Sequence, residues 1–103
     1  MSRRVLYQDV KPYDAPASLD ALRGPGGGVL PLPRHIYWGP DADADLDTIG
    51  GITKAYQAIL REGSSDAQEE LLNREALIRS WDDLLLPSRV RALWESRFPE
   101  LTA

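Results

Sequence analysis

The stretch that decides the fold is Ile52-Thr53-Lys54-Ala55-Tyr56-Gln57-Ala58-Ile59-Leu60-Arg61-Glu62-Gly63. Ile52, Tyr56, Ile59 and Leu60 recur three and four residues apart, which places them on one face of an α-helix. Gly63 stands where a C-terminal cap belongs. Three more helices follow by the same logic. Ser65 and Gln68 have capping-box spacing ahead of Leu71 and Leu72. Asn73 can cap a helix whose Leu77, Ile78 and Trp81 share a side. Leu84-Leu85-Leu86-Pro87 ends it, because a residue before proline avoids the helical region. Ser88 can then cap a last helix with Val90, Leu93, Trp94 and Phe98 on one stripe and Pro99 as its stop. The spacing therefore predicts a mainly α protein: a small helical domain over residues 41–103 with about four short helices.

Working back from Gly50, the chain changes character. Six of its 8 prolines lie before that point: Pro12, Pro16, Pro25, Pro31, Pro33 and Pro40. Proline fixes φ and lacks the N–H that helices and ladders use, so regular structure here must be short. Val5-Leu6-Tyr7 has the composition of one short strand, and Asp14 to Arg23 that of one short helix stopped by Gly24-Pro25. Val29 to Trp38 reads as an extended apolar segment after the Gly26-Gly27-Gly28 break. Residues 1–40 are thus a Pro/Gly-rich, largely extended segment. Ile36, Tyr37 and Trp38 either complete the protein's own core or form an arm for a partner. A helical cluster of this size sits where a single core becomes marginal, so it needs one or the other.

Bulk properties exclude several classes. With 103 residues there is room for one core. A net charge of −4 and pI near 4.9 argue against a general nucleic-acid binder, and about −2 falls on each half, leaving no basic tail. The absence of cysteine removes disulfides, thiolate nucleophiles and cysteine zinc sites. Met1-Ser2-Arg3-Arg4 opens like a signal peptide, but Gln8, Asp9 and Lys11 interrupt it before an apolar region develops. The expected location is the cytoplasm.

Three patterns invite a chemical reading. Asp41, Asp43, Asp45 and Asp47 alternate as in the opening of a calcium loop, yet the sixth position is Leu46 and the twelfth Ile52. A calcium loop needs glycine and glutamate there. The simpler expectation is that these acids crowd the start of the following helix, where its dipole favours negative charge. Gly24-Pro25-Gly26-Gly27-Gly28 lacks the Gly-Lys-Ser/Thr of a phosphate loop and runs into Val29-Leu30-Pro31. His35, the only histidine, has neither a Gly-x-Ser-x-Gly serine nor a second histidine at ligand spacing. The expectation is a non-enzyme without a cofactor.

The residues Tyr56 to Gly63, then Leu77-Ile78-Arg79-Ser80-Trp81, then Leu85 to Glu95 resemble a group of small bacterial proteins encoded beside nucleotidyltransferase-type toxins of abortive-infection systems. The likeness extends to Trp38-Gly39-Pro40 and covers about the last half of the chain. It implies an antitoxin or toxin-associated accessory protein, and carries no assigned residue roles. A protein partner is therefore expected, either a neighbour-encoded toxin or a second copy. The candidate interface is Tyr37, Trp38, Arg89, Arg91 and Trp94, since tryptophan and arginine dominate interface energetics. The alternative is a small transcriptional regulator whose last two helices bind DNA as a dimer. Their arginines, Arg74, Arg79, Arg89, Arg91 and Arg97, outnumber the acids there by only one. An enzyme using the aspartates with a metal ranks last.

Overall fold

A computed structural model describes residues 13–103. The short strand expected at Val5-Leu6-Tyr7 lies outside them. Four helices follow one another: α1 Ile49–Glu62, α2 Ser65–Leu71, α3 Arg74–Ser80 and α4 Ser88–Arg97. Helix, 3-10 turns included, accounts for 52% of the described residues, so the class is mainly α. Ahead of α1 lies a two-stranded antiparallel hairpin of β1 Val29–Pro31 and β2 Asp43–Asp45, paired Val29↔Asp45, Leu30↔Ala44 and Pro31↔Asp43.

The helix boundaries follow from their caps. Thr48 caps α1 by accepting from the Gly51 N–H at 2.9 Å. Gly63 closes α1 with φ −82°, so it ends the helix in an extended conformation and not a left-handed one. The cap of α2 is Ser64, one residue before the predicted Ser65. Gln68 consequently does not reach back to a cap. It is buried, and its amide donates to the Asp14 and Gly63 carbonyls at 2.9 and 3.2 Å. Asn73 caps α3 as the sequence predicts, accepting from Ala76 N–H at 3.0 Å. Pro87 precedes α4, and Ser88 is its first residue and makes no cap bond.

The same core draws on both halves of the chain. Leu19, Leu22, Leu30, Leu32 and Ile36 are buried together with the apolar faces of the helices. The predicted helix over Asp14–Arg23 reduces to a single 3-10 turn at Leu19–Ala21, since Pro16 removes a donor and Gly24-Pro25 stops the turn. That segment is fastened by backbone bonds from Arg23 and Gly24 to the carbonyls of Glu69 and Leu72, both 2.8 Å. A side chain at Gly24 would collide with the Leu71 carbonyl, so only glycine allows this approach.

Asn73 ties three distant segments. Besides capping α3, it donates from its side chain to Gly24 O at 3.2 Å and from its backbone to the Tyr56 hydroxyl at 3.1 Å. Burial holds the Tyr56 phenol above its ordinary pKa, against the opposing pull of the Asn73 bond and Arg79. On the far side, Trp81, Trp94 and Phe98 stack in sequence with centroids 6.4 and 5.2 Å apart. Both indoles are buried, each contributing about 2–3 kcal/mol of apolar transfer.

Candidate functional site

The acidic run is a strand. Asp43-Ala44-Asp45 alternates exposed, buried, exposed. Ala44 and Leu46 turn into the core while the four aspartates face out. The predicted role at the helix start is thereby corrected: the first turn of α1 contains no acid, and Thr48 caps it. Period-two alternation suits a half-buried strand, and pairing with β1 fixes which face is wet.

In an antiparallel pair, residues directly opposite share a face. The outward face of the hairpin therefore carries Val29 beside Asp45 and Pro31 beside Asp43, with Leu30 and Ala44 turned inward. Val29 keeps 64% of its surface exposed. Lys54 of α1 reaches under this edge, donating to the backbone carbonyls of Asp41 and of Asp43, the latter at 3.1 Å. Its ammonium also lies 4.9 Å from the Tyr37 ring centre and 3.9 Å from the Asp41 carboxylate. A concavity of about 440 Å³ opens between hairpin and helix, bounded by Val29, Asp41, Asp45, Gly50, Gly51 and Lys54. Gly51 allows the close seat, because a Cβ there would overlap the Asp45 carbonyl.

The predicted interface residues are dispersed. Trp38 projects from the connection between the strands and is 76% exposed. Tyr37 is half-buried over Lys54, while Ile36 before it enters the core. Arg89 is exposed on α4, its guanidinium 6.0 Å from the Tyr13 ring centre. Arg91 turns inward: it lies 4.9 Å over Trp81, donates to the Leu84 carbonyl and pairs with Glu95 at 3.5 Å. Glu95 in turn accepts from the Trp81 indole at 2.9 Å. Trp94 has no exposed surface, and its indole N–H has no partner among the described residues. Arg91 and Trp94 therefore sit in or against the core, apart from Trp38.

His35 is exposed in the same connection as Trp38. Among the described residues no three histidine or acidic side chains converge on a metal-sized site. None of the helices is long and apolar enough to cross a membrane. A second groove, about 310 Å³, runs between the start of α1 and the end of α3, lined in part by Ile49, Arg79 and Asp83. Sequence reasoning missed Val29, Lys54 and the outward role of Asp43 and Asp45. The two-residue alternation was the available signal for the last pair. No family model, curated protein or solved structure matches the chain.

Proposed function

We propose that this chain is a non-catalytic regulator that binds a partner protein and restrains it, the partner being an enzyme encoded beside it. The observation that supports this reading most directly is Trp38, held on the surface at 76% exposure by a connection whose Leu32 and Ile36 are anchored in the core. Tryptophan carries the largest apolar payload of any side chain and is the residue most enriched at interface hot spots. Placed on an anchored connection, it presents that payload with little ordering left to do on binding. The net charge of −4 suits a basic partner, because complementary charge steers encounter. The resemblance noted for residues 56–95 points to a toxin as that enzyme.

Co-expression with the neighbouring gene product tests the reading. The expected result is a complex that survives purification and relieves the growth inhibition caused by the partner alone. Trp38→Ala should weaken the complex about 30-fold, the scale of a hot-spot truncation. Failure of the wild-type chains to co-purify, with inhibition unrelieved, removes the reading.

A further inference from the structure

We propose that the outward face of the β1–β2 hairpin is a docking strip for an extended, cationic segment of a partner protein, with basic side chains at alternate positions. The proposal rests on the reading of the chain as a protein-binding regulator and assigns the surface and the partner's chemistry. Two rows make up the strip. Val29 and Pro31 form an apolar row, and directly across from them Asp45 and Asp43 form an acidic one. Asp41 and Asp47 lie just beyond the strand on either side, Asp47 in the turn that follows it, and all four aspartates are exposed.

Three of the four acids are uncompensated among the described residues. Lys54 is the one cation at this edge among the described residues, and its ammonium is committed to two backbone carbonyls, the Tyr37 ring and, at 3.9 Å, the Asp41 carboxylate. Asp43, Asp45 and Asp47 have no ion pair among the described residues; there the Asp45 carboxylate accepts only the Asp47 backbone N–H, at 3.0 Å. Alternate residues of a strand stand about 6.6 Å apart, within one Debye length at physiological salt. The aspartates therefore repel one another in the free protein, and a row of cations at the same spacing relieves that repulsion.

An extended segment with arginine or lysine at every second residue supplies this spacing, since those side chains all leave one face of the segment, and their aliphatic stems lie along Val29 and Pro31. A helix would present its cations at three- and four-residue intervals and match only some of the acids. The concavity beside the strip, floored by Gly50 and Gly51, accommodates one side chain from such a segment. Trp38 stands in the connection that joins the two strands and offers an indole face to a guanidinium.

The test uses the full chain and two synthetic peptides of equal composition, one alternating arginine with serine and one with the same residues in two blocks. Calorimetric titration at low salt should show the alternating peptide binding more tightly than the blocked one. Asp43→Asn with Asp45→Asn should weaken the alternating peptide about fivefold, since two exposed ion pairs are lost. Glu70→Gln with Asp82→Asn, which removes the same charge from exposed positions elsewhere, should change it less than twofold. Equal binding of the two peptides, or equal weakening by the two variant pairs, overturns the strip and leaves only the protein's overall field. A dimer in solution that dissociates in the Asp43/Asp45 variant assigns the strip to a second copy and also overturns it. If the co-expressed partner binds the wild type and this variant alike, the strip fails while the regulator reading stands. If the peptides discriminate but no partner is captured, the regulator reading fails and the strip stands.

Discussion

Gly50 and Gly51 are neighbours in the first turn of α1, yet alanine should move stability in opposite directions at the two sites. At Gly50 a Cβ meets nothing within 4 Å. Alanine there reduces the freedom of the unfolded chain and favours the helix, a gain of about 0.5 kcal/mol. At Gly51 the same intrinsic gain applies, but the Cβ would overlap the Asp45 carbonyl and crowd its backbone carbon and nitrogen. Backbone cannot swing aside as a flexible side chain does. Either β2 lifts from the helix, loosening Ala44 and Leu46, or the helix start unwinds and Thr48 loses its cap bond to Gly51. Overpacking of this kind costs roughly 1–3 kcal/mol, so the net loss at Gly51 is about 1–2 kcal/mol. The two variants should therefore differ by about 2 kcal/mol, or roughly 8–16 °C in melting temperature for a domain of this size. Urea denaturation of both proteins, followed by far-UV circular dichroism with the slope compared, measures it. A stabilised Gly51→Ala would refute the close seat of hairpin on helix, and with it the geometry of the concavity beside the acidic strip.

Three further outcomes follow from other contacts. Asn73→Ala removes the α3 cap and strands the Gly24 carbonyl, so it should cost about 2–3 kcal/mol, whereas Asn73→Asp keeps the cap and recovers about half; chemical denaturation separates the two. Tyr56→Phe should cost about 1 kcal/mol at neutral pH, through the lost acceptor for Asn73 N–H. Because burial raises the Tyr56 phenol above 10.0 in the fold, the stability linked to it is complete below pH 10 and declines as pH rises through the folded value. A denaturation series across alkaline pH should show that decline in the wild type and a smaller one in Tyr56→Phe. Arg91→Ala should cost about 1–2 kcal/mol through lost stacking on Trp81 and the lost bond to Leu84, while leaving partner affinity within twofold. A large loss of affinity without loss of stability would return Arg91 to the interface.

The helices were legible because their signals are local. Ile52, Tyr56 and Ile59 repeat at helical spacing, and all three are buried on one face of α1. Asn73 marks a start by its side-chain oxygen, and Gly63 an end at which a Cβ would crowd the Ile59 carbonyl. The off-by-one at Ser64 has a local part and a distant one: either serine of the Ser64-Ser65 pair can cap, and Gln68 is drawn inward by the carbonyl of Asp14, far off in sequence. The hairpin was harder to see, since four aspartates at alternate positions read first as charge and only second as period. Its β1 partner ends in Pro31, a residue that suggests loop unless the strand is an edge. Helical spacing puts Trp94 on an apolar stripe, whereas nothing local says whether Trp38 is covered. One lies in the open and the other in the core because of what packs around them, and that is decided by segments far away in sequence.

The stacking of Trp81 on Trp94 and Phe98 has a consequence for how the molecule is made. A ribosome delivers the chain from its N-terminus, so Trp81 emerges well before the side chains that cover it. Until α4 clears the exit tunnel, the indole lacks Glu95 and the apolar wall of Trp94 and Phe98. The nascent protein thus carries an open, sticky seam from the emergence of Trp81 until α4 docks.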